Sequence, residues 1–87
     1  MRLPQVVIYS KEGCCLCHEA KAVFDRLLNE IPFTIKEVDI TGIPDLLERY
    51  GQEVPVVFIE GRKAFKFRVD EKVARKRLLR ALKEVEP

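Results

Sequence analysis

Residues 6–18 carry a strand pattern that passes directly into a cysteine cluster, and they read Val6-Val7-Ile8-Tyr9-Ser10-Lys11-Glu12-Gly13-Cys14-Cys15-Leu16-Cys17-His18. The β-branched and aromatic run at 6–9 predicts a short buried strand, which the polar residues after it end. From Cys14 onward, apolar residues recur at steps of three and four as far as Ile31. That spacing predicts an amphipathic helix that stops near Pro32. The cysteines therefore lie where a strand gives way to a helix.

The residues that follow predict a second strand and hence a β-α-β unit. Apolar residues at partly alternating positions in 33–40 are typical of a strand, and Thr41-Gly42 closes it. Because a helix connects the two strands, we expect them to be parallel with a right-handed crossover. A short helix is then predicted over 43–50, with Pro44 in its first turn and Gly51 as its stop.

The last third of the chain predicts a hairpin and a final helix. Val56–Ile59 is apolar on both faces and is expected to form a central strand. A turn at 60–63 joins it to an antiparallel edge strand at 64–69, where apolar and charged residues alternate. Asp70 is the expected cap of the C-terminal helix. The order β-α-β-α-β-β-α predicts an α/β fold in a single domain over residues 1–87.

The composition indicates one small globular unit. The chain has 87 residues, of which 47% are hydrophobic and 34% are charged, too apolar for a disordered chain and too charged for a membrane protein. No window approaches the about 20 consecutive apolar residues that a membrane span needs. The first residues also lack the pattern of a signal peptide. We therefore expect a cytoplasmic protein with neither a membrane anchor nor a leader.

Positive charge is concentrated in the second half of the chain. Residues 1–53 contain six Lys and Arg against nine Asp and Glu, whereas residues 54–87 contain ten against five. Most of this charge lies on the last predicted helix, at Lys72, Arg75, Lys76, Arg77, Arg80 and Lys83. No aromatic residues are interleaved there for stacking on bases, so we interpret it as a solvated face and expect no nucleic-acid partner. The packing side of this helix is predicted to consist of Val73, Leu78, Ala81 and Leu82.

Cys14 and Cys17 are spaced three residues apart at the predicted start of the first helix. Side chains at that spacing share one face, with Cβ atoms about 5–6 Å apart, so a small adjustment permits a disulfide. Unpaired N–H groups and the positive end of the helix dipole favour a thiolate at Cys14, and Lys11 adds positive charge nearby. Cys14 is therefore the candidate nucleophile. The more deeply placed Cys17 is the candidate resolving thiol, which attacks a mixed disulfide.

Cys15 and His18 leave other interpretations of the cluster open. Cys15 points about 100° away from its neighbours around the helix, so we interpret it as a spare thiol, with a third redox role as the alternative. His18 is interpreted as a polar first-turn residue that is also able to tune the thiols or to bind a metal. A zinc site is disfavoured because no second segment supplies Cys or His, and no metal ligand is assigned. An iron–sulfur cluster held between two copies by Cys14 stays open.

Pro55 stands directly before the predicted strand at 56–59. On the residues alone a trans Val54–Pro55 bond is expected, because few X-Pro bonds are cis. Together with Tyr9-Ser10-Lys11, the Cys14-x-x-Cys17 pair and the element order, however, the chain resembles glutaredoxins. The resemblance implies a thioredoxin-like fold, a four-stranded mixed sheet flanked by helices. It also implies a cis bond at Pro55 beside the cysteines, with the Val54 backbone pairing to a bound thiol substrate.

The chain departs from glutaredoxins at two places. Cys15 and Leu16 stand between the paired cysteines, where many glutaredoxins have proline and an aromatic residue. Their Gly-Gly pair after the hairpin is replaced by Phe67-Arg68-Val69, followed by Asp70 and Glu71. The chain is therefore most similar to glutaredoxin-like proteins that lack the Gly-Gly glutathione motif. No tightly bound cofactor is expected, and glutathione is considered only as a co-substrate.

The cysteine spacing and the resemblance together predict a thiol–disulfide oxidoreductase. The catalytic residues would be Cys14 and Cys17, and the resemblance implies substrate contacts at Lys11, Val54 and Pro55. Expected partners are disulfide-containing proteins or small thiol substrates, with a reductase or glutathione as electron donor, and we expect a monomer. Two alternatives stay open, a non-catalytic thioredoxin-fold module that binds a partner and an iron–sulfur carrier bridged across a dimer.

Overall fold

The computed structural model describes residues 3–85, which form four strands and three helices in the order predicted from the sequence. The elements are β1 Gln5–Ser10, α1 Cys15–Leu27, β2 Thr34–Asp39, α2 Pro44–Tyr50, β3 Val56–Ile59, β4 Arg62–Lys66 and α3 Glu71–Val85. Their order is β-α-β-α-β-β-α, and the strands form one mixed sheet. The predicted thioredoxin-like fold is therefore confirmed.

The sheet has the strand order β2-β1-β3-β4. Strand β1 pairs in parallel with β2 and antiparallel with β3, and β3 pairs antiparallel with β4. The parallel β1–β2 pair and the antiparallel hairpin follow the prediction. As predicted, β3 is also a central strand. Its residues Val56 and Val57 lie on opposite faces of the sheet, and both are fully buried.

The core divides into two clusters, one on each face of the sheet. On one face Val6 and Ile8 of β1 pack against apolar residues of α1 and α3, among them Phe24, Leu27 and Leu78. On the other face Tyr9 packs with side chains of α2, and its ring lies 5.3 Å from that of Tyr50 and 5.2 Å from that of Phe58, measured between centroids. Alternation of side chains along β1 places consecutive residues on opposite faces, which is why one strand serves both clusters.

The predicted limits of the hairpin were wrong. Ile59 pairs with Arg62, so only Glu60 and Gly61 form the turn, with φ angles of 53° and 79°. Two successive positive φ angles make the tight turn whose twist matches that of a hairpin. Ala64 is an extra residue in β4, because Val57 pairs with Phe65 while Phe58 pairs with Lys63. The strand therefore starts and ends earlier than the alternation over 64–69 indicated.

Helix α1 ends earlier than the sequence predicted. It was expected to continue to the neighbourhood of Pro32, but Leu27 is its last residue. The N–H groups of Asn29 and Glu30 then donate to carbonyls three residues earlier, which tightens the chain into a turn. Ile31 lies beyond the helix and is nevertheless 3% exposed, so its apolar character reflects packing of the turn.

Helix α3 is capped as predicted, and it packs through Leu78, Ala81 and Leu82 as predicted but not through Val73. Asp70 Oδ1 accepts hydrogen bonds from the N–H groups of Lys72 at 2.9 Å and Val73 at 3.3 Å. Val73 itself is 42% exposed, and Ala74 is the buried residue of this turn. The error arose because a small alanine signals burial less clearly than a valine. Within the described residues, no helix is long and apolar enough to cross a membrane.

Candidate dithiol site

Cys14 caps the N-terminus of α1 with its side chain. Its backbone is extended, and its Sγ accepts a hydrogen bond from the N–H of Cys17 at 3.3 Å. The turn that brings it there requires Gly13, whose φ of 77° favours glycine, and the Cys14 N–H donates to the Lys11 carbonyl. The predicted position at a helix start is confirmed. A partly exposed sulfur therefore faces an N–H group that the helix leaves unpaired.

Cys17 lies beneath Cys14 in the first turn of α1 and is 4% exposed. Burial, and next the hydrogen bond with the Cys14 side chain, raise the pKa of Cys17 from 9.0 to about 12. Negative charge on Cys14 and on Glu37 acts in the same direction, and a hydrogen bond with the Lys11 backbone lowers the pKa in part. At neutral pH Cys17 is therefore a protonated thiol in contact with the side chain of Cys14.

The structure separates Cys15 from this pair. All three cysteines are free thiols, but Cys15 is exposed, whereas Cys14 is partly buried and Cys17 is buried. The neighbouring His18 is also exposed. Among residues 3–85, no group of three His, Cys, Asp or Glu side chains is arranged to hold a metal ion.

The Val54–Pro55 bond is cis. This agrees with the family resemblance and contradicts the expectation from the residues alone. Val54 is 8% exposed and belongs to the apolar cluster that includes Cys17 and, at its edge, Cys14. Within residues 3–85, no hydrogen bond involves the backbone N–H or carbonyl of Val54. The structure thus brings together the cysteine pair and a backbone segment with free hydrogen-bonding groups.

Lys11 is tied to the end of α2. Its Nζ donates a hydrogen bond to the Gly51 carbonyl at 2.9 Å, in a partly buried position. Its side chain also lines a shallow cavity of about 310 Å³ together with Cys14 and Cys17. The cation predicted near the nucleophile is therefore present, with one of its N–H groups already engaged.

Glu37 and Asp39 line the same cavity and were missed by the sequence analysis. They belong to β2, and they lie in register with Ile8 and Ser10 of β1, whose side chains face α1. Hydrogen bonds with the side chain and then the backbone of Thr41 lower the pKa of Asp39. The alternation along β2 marks both acidic residues as facing the same side, but only the strand pairing aligns that side with the cysteines.

A family model matches most of the chain. The model described as "Glutaredoxin-like domain (DUF836)" matches residues 5–83. The chain belongs to this glutaredoxin-like family. The match spans Cys14, Cys17, the cis-proline segment and most of α3.

Individual relatives agree with the family assignment. An uncharacterized protein of Mycobacterium tuberculosis is 32% identical over 76 residues, which cover 82% of this glutaredoxin-like chain and 78% of that protein. A glutaredoxin-like protein of Dictyostelium discoideum is 32% identical over 69 residues, covering 72% of this chain and 64% of that one.

Solved structures match over nearly the whole chain. An NMR structure of a Nitrosomonas europaea protein has a TM-score of 0.77 and 29% identity, and the match covers 90% of this chain and 94% of that one. A mutant thioredoxin from Halobacterium salinarum has a TM-score of 0.65 at 19% identity, covering 99% and 80%, which supports the fold alone. A glutaredoxin-like thioredoxin-fold domain supports a redox-type role.

Proposed function

We propose that this protein is a thiol–disulfide oxidoreductase in which Cys14 is the nucleophile and Cys17 the resolving thiol. One observation carries the proposal: the partly exposed Cys14 sulfur and the buried Cys17 thiol are in contact at the start of a helix. They lie in one cluster with Val54, whose backbone N–H and carbonyl form no hydrogen bond within residues 3–85 and could pair with a substrate. A partly exposed thiol next to a buried one suits a two-step disulfide exchange.

In the first step Cys14 attacks a disulfide of the substrate. Its thiolate sulfur forms a bond to one substrate sulfur while the substrate S–S bond breaks, and the departing thiolate takes a proton from water. The N–H of Cys17, which points at the Cys14 sulfur, stabilises the negative charge before the attack. The product is a mixed disulfide between Cys14 and the substrate.

In the second step Cys17 resolves the mixed disulfide. Its thiol loses a proton, and its sulfur bonds to Cys14 as the bond from Cys14 to the substrate breaks. The second substrate thiolate then leaves and is protonated. Two electrons and two protons pass to the substrate, which becomes a dithiol while Cys14–Cys17 becomes a disulfide. Glutathione or a reductase would return the pair to the reduced form.

The raised pKa of Cys17 supports the assignment of Cys14 as the nucleophile and Cys17 as the resolving thiol. Burial is its largest cause, and the hydrogen bond with the Cys14 side chain and the charge on the Cys14 sulfur also raise the pKa. The charge is lost once Cys14 is bonded to the substrate, which removes one of the contributions that keep Cys17 protonated. Before the mixed disulfide forms, Cys17 stays protonated and does not compete as the nucleophile.

The substrate would be held by groups next to the cysteines. The unused N–H and carbonyl of Val54 suit an extended substrate backbone. The remaining N–H groups of the Lys11 ammonium suit a substrate carboxylate or carbonyl. Free thiols persist in a reducing compartment, so we propose that the protein acts in the cytoplasm, and we propose that it acts as a monomer.

The test is reduction of a small mixed disulfide and of insulin by the purified protein, with glutathione or a reductase as the donor. We expect the wild type and Cys15→Ser to be active, because Cys15 is exposed and outside the pair. Cys17→Ser should accumulate a mixed disulfide that is detectable by mass, and Cys14→Ser should not.

Three outcomes would contradict the proposal or part of it. A folded wild-type protein that reduces neither substrate with either donor excludes the oxidoreductase and favours a binding module. Trapping by Cys14→Ser instead of Cys17→Ser reverses the two roles. An anaerobic preparation that is coloured and contains iron favours the cluster carrier.

A further inference from the structure

Phe67 has a backbone conformation that glycine adopts easily and phenylalanine does not. Its φ is 67°, although it is neither glycine nor one of the polar residues that tolerate this region. Its side chain is 44% exposed, so burial of the ring does not offset the energetic cost of this backbone conformation. A bulky residue held in this region points to a functional constraint on the loop.

The loop is held in place by the cis-proline segment. The N–H of Phe67 donates to the carbonyls of Glu53 at 3.1 Å and Pro55 at 3.0 Å, on either side of Val54. The Lys66 ammonium lies 5.6 Å from the centre of the Phe67 ring. The backbone at Phe67 is therefore fixed relative to the segment that packs beside the cysteine pair.

Phe67 also lines a groove of about 310 Å³ between α1 and the loop from β4 to α3. Its apolar lining consists of Leu16, Ala20, Ala22, Val23, Phe67 and Val69. Leu16 belongs to the first turn of α1, so the groove begins two residues from Cys14. A substrate bonded to Cys14 therefore has the groove within reach of its neighbouring residues.

The groove has a positively charged end. Arg68 lines it and forms no ion pair with any residue in 3–85, and the exposed Lys66 lies next to the ring of Phe67. Arg26 lines it as well, but its guanidinium is paired with Glu71 at 2.8 Å. Among the described residues that line the groove, Glu19 is the single carboxylate. The loop thus offers an unpaired cation next to an apolar surface.

We propose that this groove binds an apolar side chain of a protein substrate, next to a carboxylate that pairs with Arg68, and that Phe67 determines this specificity. The inference rests on the proposed oxidoreductase function and names its substrate class as protein disulfides. Glutathione consists of glutamate, cysteine and glycine and has no apolar side chain to place against Phe67 and Leu16. The apolar contact therefore discriminates in favour of a polypeptide.

The test compares three mixed disulfides, each formed with the same small thiol. One contains a peptide with Leu and Glu beside its cysteine, one a peptide with Ser at both positions, and one glutathione. We expect Phe67→Gly to lower kcat/KM by about tenfold or more for the Leu-Glu peptide. It should change the other two by less than about twofold, because they make no contact with the ring.

Two variants serve as controls. Leu79→Ala removes another apolar side chain that is 44% exposed, outside the groove, and should change none of the three rates. Phe67→Leu keeps an apolar side chain and should retain part of the preference for the Leu-Glu peptide. Because glycine suits the backbone, Phe67→Gly should melt at the wild-type temperature or above. An equal loss on all three substrates, or no loss on any, overturns the inference.

A binding measurement separates this inference from the proposed function. The Leu-Glu peptide with Ser in place of its cysteine cannot react, but it should shift the amide resonances of Leu16, Ala20 and Val69 in the wild type and not in Phe67→Gly. If the protein reduces no disulfide and these shifts occur, the proposed oxidoreductase function is excluded, whereas the proposal that the groove binds a peptide is supported. If disulfides are reduced and the shifts are absent, the groove inference fails alone.

Discussion

Cys17 combines burial with a reactive group, and that combination has a measurable consequence for stability. A buried thiol resists ionisation because the thiolate is poorly solvated, and in this protein the pKa rises to about 12. The unfolded chain has no such environment, so its Cys17 ionises near the ordinary value of 9.0. Folding and ionisation of this residue therefore oppose each other at alkaline pH.

We predict that reduced protein loses stability as the pH rises above 9. Between 9.0 and about 12 the unfolded state has released the Cys17 proton and the folded state still holds it. The free energy of unfolding then falls by about 1.4 kcal/mol per pH unit, and below that range this effect is absent. Urea unfolding at about pH 8 and about pH 10 measures the slope.

Two variants separate the contribution of Cys17 from that of the rest of the protein. Cys17→Ala should lose this part of the slope, whereas Cys15→Ser, at an exposed thiol, should keep it. Equal slopes in Cys17→Ala and the wild type would show that Cys17 is not the residue responsible.

Helix α2 ends at a glycine for a steric reason. Gly51 has an ordinary helical φ of −56°, so conformational freedom does not explain it. A Cβ at this position would collide with the carbonyl oxygen of Leu47. The sequence correctly predicted a stop at Gly51, but the reason is the close packing of the last turn, which also presents the Gly51 carbonyl to Lys11.

We predict that Gly51→Ala lowers the free energy of unfolding by about 1–3 kcal/mol, because the backbone has to shift to make room. Gly42→Ala is the matched control, since a Cβ there meets nothing within 4 Å and its φ lies outside the positive range. It should be neutral or stabilise by up to about 1 kcal/mol. Thermal and urea unfolding of both variants test this, and equal effects would contradict it.

Strand β4 illustrates why element limits are harder to predict than element order. The alternation from Ala64 to Val69 is a valid strand pattern, yet the strand starts at Arg62 and ends at Lys66. Its start depends on the tight turn at Glu60 and Gly61. Its end depends on hydrogen bonds from Phe67 to the distant cis-proline segment. Neither interaction is visible in the local pattern.

The fold of the whole molecule depends on a small core shared by both helices on one face of the sheet. Leu78 of α3 is fully buried against β1 and α1, whereas the adjacent Leu79 is 44% exposed. Surface ion pairs also link α1 to α3, such as Arg26 with Glu71 at 2.8 Å, but exposed pairs of this kind contribute little. Apolar burial therefore dominates the attachment of α3.

We predict that Leu78→Ala lowers the free energy of unfolding by about 2–5 kcal/mol, because it leaves a cavity in the core. Leu79→Ala changes the same residue type one position away and should stay within about 0.5 kcal/mol. Since small domains have a total stability of about 5–15 kcal/mol, the first variant should show a clearly lower unfolding midpoint in urea. Similar losses in both variants would show that α3 packs differently.

The sequence by itself determined the order of the elements, the central position of β3 and the placement of Cys14 and Cys17 at a helix start. These follow from periodicity and spacing, which act over a few residues. The tertiary structure decided the cis bond before Pro55, the approach of Glu37 to the cysteines and the groove beside Phe67. Each of these joins segments far apart in the chain, and such contacts form only when strand pairing and packing bring the segments together.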